Sequence, residues 1–556
     1  MYRVSKGLDK NNFLKTNQTT RVIVGDYCVD IFGDSERYLI DENEDRFVFF
    51  DGFIFGVKKE NWIEYFLGNF QKKELEKVNG TFNCFIIDKK SGELYTINDK
   101  YGIKPLFYFQ NGDCVVYSPL VEALLHNSKK YEIDWSSWAD FFVFTYILGD
   151  KTYFKEIKKI KPASLISHKE GSCKEIKYWD FSEWEVSSNR YNDDEILKES
   201  EKILKKVVED ILISIRDEKG KLVVNLSGGH DSRLVLSSIV RYGGIKPRTF
   251  TSEKYPSDEE DVKKAKIVAE KLDCEHTGVN LGQNIYQRFM HDKYDSTNYS
   301  VKEHIWSMPL INFYRTRYIN LDGFLGDGVL GHTYNYYVDE KTLFNIVGFL
   351  DPFTHQKIFD KKLFNMKELS KKDFSSEYLR YTKYKNPNFH FMYNNRVLNC
   401  ISYYLSLMET RVDIVPFFCH DEFLKFCLSI SDIKKIDHVI YDKILEHNFG
   451  EIAEIEISNE KKMKFLYKIR KLLIKFKIMG YVGQLLRRKY WFKYKQEDVD
   501  YLVERVQNQD IPEFVNEDLI KKIIKKTTKD VSYAYYLEQI LVFLWWYNKY
   551  INFVES

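Results

Sequence analysis

The 556-residue chain has no run of about 18 uncharged apolar residues, the length a bilayer-spanning helix needs; its best approach, Ile540–Tyr547, is far shorter. Its first residues, Met1 to Lys10, lack the apolar core of a secretory signal, so a cytoplasmic protein is expected. It has no Cys-x-x-Cys pair. The eight cysteines are Cys28, Cys84, Cys114, Cys173, Cys274, Cys400, Cys419 and Cys427, and even Cys419 and Cys427 are too far apart for a zinc knuckle. A reduced chain with mostly buried thiols follows. Proline is scarce at 10 residues, and there is no internal repeat and no low-complexity linker to mark a domain border. Neither sign of charge is in excess: 84 Lys+Arg face 82 Asp+Glu, for a net charge of +2. What is present is ordinary for a folded protein, 44% hydrophobic and 30% charged, which excludes wholesale disorder. The length suggests two to four domains at roughly 150 residues each.

Up to about residue 125 the chain reads as short strands with an intervening helix. Arg21–Gly25, Arg46–Phe50, Phe82–Ile87 and Cys114–Tyr117 are rich in β-branched and aromatic residues. Asp51-Gly52, Asn79-Gly80, Ser91-Gly92 and Asn111-Gly112 bound them as turns. With a helix over Glu60–Lys77, this predicts an α+β domain on an antiparallel sheet. After about residue 195 the order changes to helix (Asp194–Arg216), strand (Lys221–Leu226), glycine turn, helix (Ser232–Tyr242), strand (Pro247–Ser252), helix (Asp258–Leu272). Short β–α alternation of this kind predicts a parallel sheet covered by helices. Residues 300 to 450 read as mostly helical, with a strand-to-loop unit at Tyr318–Gly331. The border falls between 170 and 200, dividing the chain into 1–190 and 191–556. One stretch departs from the even charge: 461–495 holds thirteen Lys or Arg and no acid, interleaved with apolar residues at helical spacing. A basic amphipathic helix of this kind is a solvated bundle helix, a membrane-surface helix at the inner face of the membrane, or a grip for an acidic partner. No base-reading motif accompanies it, so specific nucleic-acid binding is not expected.

The chemistry concentrates in Leu226-Ser227-Gly228-Gly229-His230-Asp231-Ser232, between an expected strand and an expected helix. Two glycines let the backbone wrap an anion, and the helix start offers N–H groups and positive partial charge. Ser227 and Ser232 can donate to phosphate oxygens. Asp231 belongs in such a loop if Mg²⁺ bridges it to the phosphates, so ATP and Mg²⁺ are the expected ligands. The pattern is neither a Walker A motif nor a dinucleotide fingerprint.

This loop resembles the pyrophosphatase loop of the asparagine synthetase family, within the adenine-nucleotide α-hydrolase-like superfamily. Further stretches resemble the family in order: Thr249-Phe250-Thr251, then Ser257-Asp258-Glu259 to His276, then Gly323 to Gly331 around Asp327, then Pro416-Phe417 with Asp421-Glu422-Phe423-Leu424. Asn79 to Phe82, Asp88, Asn98 to Tyr108, Tyr117-Ser118 and Leu124 resemble its class II glutamine amidotransferase domain. The resemblance implies an Ntn-like αββα sandwich, then a doubly wound α/β domain with a large helical extension. It implies Leu226, Ser227, Gly228, Gly229, Asp231 and Ser232 on ATP and pyrophosphate, and Asp231 and Asp327 on Mg²⁺. His438, on an expected helix and with Lys443 nearby, stands where the family has a lysine near the pyrophosphate.

Two departures shape the expected function. The family's glutaminase nucleophile is an N-terminal cysteine; here Tyr2 stands at position 2, and the first cysteine, Cys28, lies in an expected strand with no base beside it. The family's glutamates around the metal aspartate are replaced by Phe324 and Gly328. The expectation is an AMP- and pyrophosphate-forming amide ligase whose amine is not supplied by its own glutaminase, such as a lasso-peptide-type macrocyclase. The alternatives are amidation of a sugar carboxylate in surface-polysaccharide assembly and a non-catalytic nucleotide-binding protein. The partners are then a peptide or sugar carboxylate and an amine. Tyr334, Tyr336 and Glu409 are candidates, by location only, for the base that deprotonates that amine.

Overall fold

The computed structural model describes all residues except 7–18, 69, 126–128, 186–190, 253–258, 281, 332–337, 349–356, 360–364, 457–493 and 556, and except the side chains of Asp217 and Lys367. The basic stretch 461–495 therefore lies outside the described residues apart from Tyr494 and Lys495, as do Ser257, Asp258, Tyr334 and Tyr336.

Two antiparallel sheets build the first part of the chain. One has the order β10-β8-β9-β1-β3-β2 and contains β1 (Tyr2–Lys6), β2 (Thr19–Val24), β3 (Tyr27–Phe32), β8 (Phe107–Asn111), β9 (Cys114–Ser118) and β10 (Lys158–Lys159). The other has the order β12-β11-β7-β6-β5-β4 and contains β4 (Leu39–Glu42), β5 (Arg46–Ile54), β6 (Gly80–Asp88), β7 (Leu94–Asn98), β11 (Ser164–Lys169) and β12 (Ser172–Lys177). Side chains alternate across a strand, and β5 uses both faces. Phe47 and Phe49 enter the core between the sheets with Tyr2, Val29 and Phe85. Val48 and Phe50 point the other way, onto Trp62, Phe66 and the helix Asp193–Ser214. The outer face of the first sheet (Phe107, Phe109, Val116) packs on the helix Trp135–Phe144. Helices therefore cover both outer faces of the paired sheets.

The expected helix over Glu60–Lys77 is corrected to fragments: a 3₁₀ turn at Lys59–Asn61 and one-turn helices at Glu64–Leu67 and Lys72–Leu75. Gly68 leaves helical geometry at ψ −146° and ends the first of them. Such fragments hold because Trp62, Ile63, Phe66 and Leu75 are buried, so packing rather than propensity sustains them.

The second part is built on five parallel strands in the order β15-β14-β13-β16-β17: β13 (Leu222–Asn225), β14 (Arg248–Ser252), β15 (His276–Val279), β16 (Ile319–Asp322) and β17 (Asp413–Pro416). The remainder is mostly helical. Both large apolar cores cross residue 190. The helix Asp193–Ser214 packs under β5 and β6, and Ser214 donates to Ile54 O at 2.8 Å. The buried helix Ala534–Tyr550 lies against Trp135–Phe144, where Gln539 donates to the Phe141 and Phe142 carbonyls. No helix among the described residues is long and apolar enough to cross a membrane.

Candidate active site

In an open parallel sheet, ligands bind at the carboxyl ends of the strands where the strand order reverses. Here the chain runs outward from β13 through β14 to β15, then returns to place β16 on the other side of β13. The reversal lies between β13 and β16. A cavity of about 420 Å³ opens there, lined by Ser227 and Asp231 after β13, Thr251 at the end of β14, Asp322 and Phe324 after β16, and the rings of Trp306 and Tyr404.

The glycine loop is tied down from within. The Ser232 hydroxyl accepts the Ser227 N–H at 2.9 Å and lies 3.1 Å from the Ser227 hydroxyl, which in turn accepts the Gly229 N–H at 3.2 Å. The helix His230–Gly243 begins two residues earlier than expected, with Gly229 at its N-cap and no side chain capping it. Its start keeps the partial positive charge that a capping oxygen would offset. The Gly228 N–H already meets an anionic oxygen: Asp261, on the helix Glu259–Lys271, accepts it at 3.2 Å.

Asp231 and Asp327 face each other. The Asp327 N–H donates to Asp231 Oδ2 at 3.0 Å, and the Tyr441 hydroxyl donates to Asp231 Oδ1 at 2.7 Å. Burial, and then the charge of Asp327, raise the Asp231 carboxyl to about 7. Glycines make room for the pair. A Cβ on Gly326 would stand 2.6 Å from Asp231 Oδ1, and one on Gly331 2.0 Å from Asp327 Oδ1. Asp327 opens a π-helical turn, Asp327–Gly331, a distortion frequent at functional sites.

His438 reaches this pair, with Nε2 2.5 Å from Asp327 Oδ1. Burial alone would lower its pKa; the hydrogen bond to and charge of Asp327 outweigh that and raise it. The residue was expected on a helix. It stands instead at φ 64°, just before the helix Val439–Ala453, and that left-handed turn aims the ring back at the loop. Its imidazole stacks on His230 at 4.9 Å and 9°. Lys443 is not part of the cluster: its ammonium pairs with Asp193 at 2.6 Å, outside the cavity lining. Leu226 lines the cavity and donates its N–H to Phe250 O at 2.8 Å. Glu409 is not placed as a base. It lies in an ionic cluster with Arg37 (2.9 Å) and Lys104 (2.5 Å), Lys104 also reaching Asp51 at 3.2 Å, and its pKa is lowered, burial being outweighed by these cations.

The structure adds residues that sequence reasoning missed: Asp261, Asp322, Tyr404, Tyr441 and Trp306. Of these, only Tyr441 had a local signal, three residues after His438 and so on one side of a helical turn. Outside the site, Glu303, His304 and Cys400 cluster as metal-ligand types do, but Arg396 already forks Glu303 (2.6 and 2.8 Å) and reaches Cys400 at 3.0 Å. A cation thus fills that place.

The stretch Asn98 to Leu106 serves a further purpose. The Asp99 carboxylate accepts the N–H groups of Phe82, Tyr101 and Gly102, fixing the turn. The turn then presents Lys100 and Tyr101 to Asp421, which Lys100 ion-pairs and Tyr101 meets at 2.5 Å, while Asn79 accepts the Asp421 N–H at 3.0 Å. Motif residues from the two halves of the chain therefore touch.

A family model described as a glutamine amidotransferase domain matches residues 65–179. Among curated proteins, the chain is 26% identical over 125 residues to the glutamine-hydrolyzing asparagine synthetase 3 of Bacillus subtilis, covering 22% of this chain and 20% of that protein. It is 22% identical over 169 residues to asparagine synthetase 1 of the same organism, covering 30% and 26%. The chain thus matches only about a quarter or less of the length of these relatives. Among solved structures, the Bacillus subtilis glutamine phosphoribosylpyrophosphate amidotransferase complexed with ADP and GMP covers 55% of this chain and 63% of its own, at 10% identity and a TM-score of 0.18. That score assigns nothing.

Proposed function

Because the chain is asparagine synthetase-like in sequence, we propose that it is an ATP-dependent ligase, forming AMP and pyrophosphate, that activates a substrate carboxylate and joins it to an amine not released by a glutaminase of its own. The observation that carries this reading is the Asp231–Asp327 pair, set at the strand-order reversal beside an uncapped helix start. Two carboxylates at such close quarters, one raised to about 7, are hard oxygen donors that fit Mg²⁺. Mg²⁺ held there would neutralise charge on the departing pyrophosphate. The N–H groups of the uncapped helix start and the Ser227 and Ser232 hydroxyls hold the phosphates, with the Gly228 N–H passing from Asp261 to a phosphate oxygen. His438 stands beside the pair through Asp327, whose charge raises its pKa. The substrate carboxylate attacks the α-phosphorus, pyrophosphate leaves, and an amine then displaces AMP from the acyl-adenylate.

The amine comes from elsewhere because neither described thiol of the first sheet is activated; burial raises Cys114 in β9. Cys28 lies in β3, its pKa raised by burial and by Asp30. Tyr2 packs at 4.8 Å on Phe49 and 5.8 Å on Phe85. An amine carried by the substrate itself, as in peptide macrocyclisation, meets that requirement. ATP–pyrophosphate exchange with panels of peptide and uronic-acid carboxylates tests the reading. Exchange with one panel is expected, and no glutamate from added glutamine; ATP binding without exchange for any carboxylate would leave only a nucleotide-binding protein.

Metal affinity depends on pH with a fixed sign. Asp231, at about 7 without metal, must lose its proton to ligate. Protons therefore compete, and Mg²⁺ or Mn²⁺ binding in the presence of ATP weakens as pH falls below about 7, by roughly tenfold per unit for one displaced proton. Calorimetric titration at pH 6 and 8 measures this; equal affinities would contradict it.

A further inference from the structure

The geometry points to Asp322 as the heart of a subsite for the attacking amine, held in its ammonium form between this carboxylate and the Tyr404–Trp306 ring pair. The inference rests on the ligase reading above and names the chemistry of its second substrate. Asp322 ends β16, is 7% exposed and lines the cavity. Every described group that reaches it is neutral. Oδ1 accepts the Phe324 N–H at 2.9 Å, Oδ2 accepts the Asn320 amide at 3.1 Å, and the Tyr404 hydroxyl donates to the carboxylate. Tyr404 is in turn held by the Asn225 amide at 3.1 Å, and Asn225 by the Tyr314 hydroxyl at 2.5 Å. A buried carboxylate in a cavity wall, dressed only by neutral donors, lacks the counter-ion that buried charges generally have. An ammonium group supplies it. Burial accordingly raises the carboxyl to about 6, which keeps it ionised at neutral pH yet able to take a proton.

The place is right as well as the charge. The next residue, Gly323, lies so close to Asp231 that a Cβ there would stand 2.9 Å from the Asp231 Cβ. The subsite therefore adjoins the metal and phosphate pocket. The indole of Trp306 stacks on the Tyr404 ring at 5.3 Å and 23°, and aromatic faces attract alkylammonium groups. The ammonium gives one proton to the Asp322 carboxylate. Its lone pair then forms the C–N bond while the carbonyl carbon–oxygen bond to AMP breaks, the electron pair leaving on the phosphate. The second N–H proton leaves with that phosphate.

Two nucleophiles separate this role from a structural one, using the carboxylate that supports exchange. Ammonium chloride needs a base at neutral pH; hydroxylamine is neutral there and does not. Exchange and hydroxamate formation by Asp322→Asn, read on the same sample, are the reference for the amide step. Amide formation from ammonium should fall a further ~10²–10³-fold below that reference, the range of a lost general base, while Asp322→Glu recovers part of it and Tyr404→Phe loses less. Equal loss of all three activities in Asp322→Asn would make the residue a turn-capping group and overturn the subsite. So would unchanged amide formation. Absence of exchange in the wild-type protein would instead remove the ligase reading, and the subsite with it.

Discussion

Asp231→Asn lowers carboxylate-dependent ATP–pyrophosphate exchange by ~10³-fold or more and does not destabilise the protein. The two halves of this expectation have one cause. In the absence of metal, burial and the neighbouring Asp327 disfavour the Asp231 carboxylate and raise it to about 7. An asparagine keeps the shape and one oxygen to accept from Tyr441 or from the Asp327 N–H, but removes the repulsion. Folding therefore loses nothing electrostatic. Activity loses a hard, charged donor at the place where negative charge builds on the leaving pyrophosphate, and preorganised charges of this kind are worth about 4 kcal/mol, which is roughly 10³ in rate. Exchange kinetics and a thermal melt on the same sample measure both. Exchange near the wild-type rate would remove the metal assignment of Asp231.

How much of this was legible in the sequence depends on how local the signal was. The loop from Ser227 to Ser232 was, because a strand, two glycines and a helix start are contiguous and each has its own propensity. The parallel strands flanking it were, for the same reason. Asp327 was legible only through resemblance, since nothing local shows that β16 lies beside β13. His438 was placed in the right neighbourhood but on a helix, because its left-handed backbone at φ 64° has no mark in its side chain. Asp322 had no signal of its own within the strand-to-loop unit Tyr318–Gly331. Its meaning comes from Tyr404 and Asn225, which are distant in sequence and meet it only once the sheet is assembled. Strand β12, Ser172–Lys177, is largely exposed and polar, so no apolar alternation announced it; it exists because its backbone pairs with β11.

The turn from Asp99 to Leu106 shows the same limit from the other side, and it yields the largest expected effect on stability. From sequence it reads as a packing turn. In the fold its Lys100 is 1% exposed and its ammonium has the Asp421 carboxylate as partner, from the other half of the chain. Asp421→Ala leaves that ammonium buried without its counter-ion and takes an acceptor from the Tyr101 hydroxyl as well. Removing one partner of a buried pair costs about 3–5 kcal/mol, chiefly because the stranded charge stays desolvated. Replacing both partners by apolar groups strands nothing, so Lys100→Met combined with Asp421→Leu should lie well above Asp421→Ala in a urea or thermal unfolding series. That ordering separates a buried inter-half ion pair from a surface one, for which each change would be worth about 1 kcal/mol or less. It also bears on why this stretch stays glutaminase-like beside Tyr2 and an unactivated Cys28. A turn that buries a lysine against Asp421, one residue beyond His420, which itself hydrogen-bonds Asp210 at 3.0 Å, ties the two halves of the chain together, and it does so whether or not glutamine is ever cleaved.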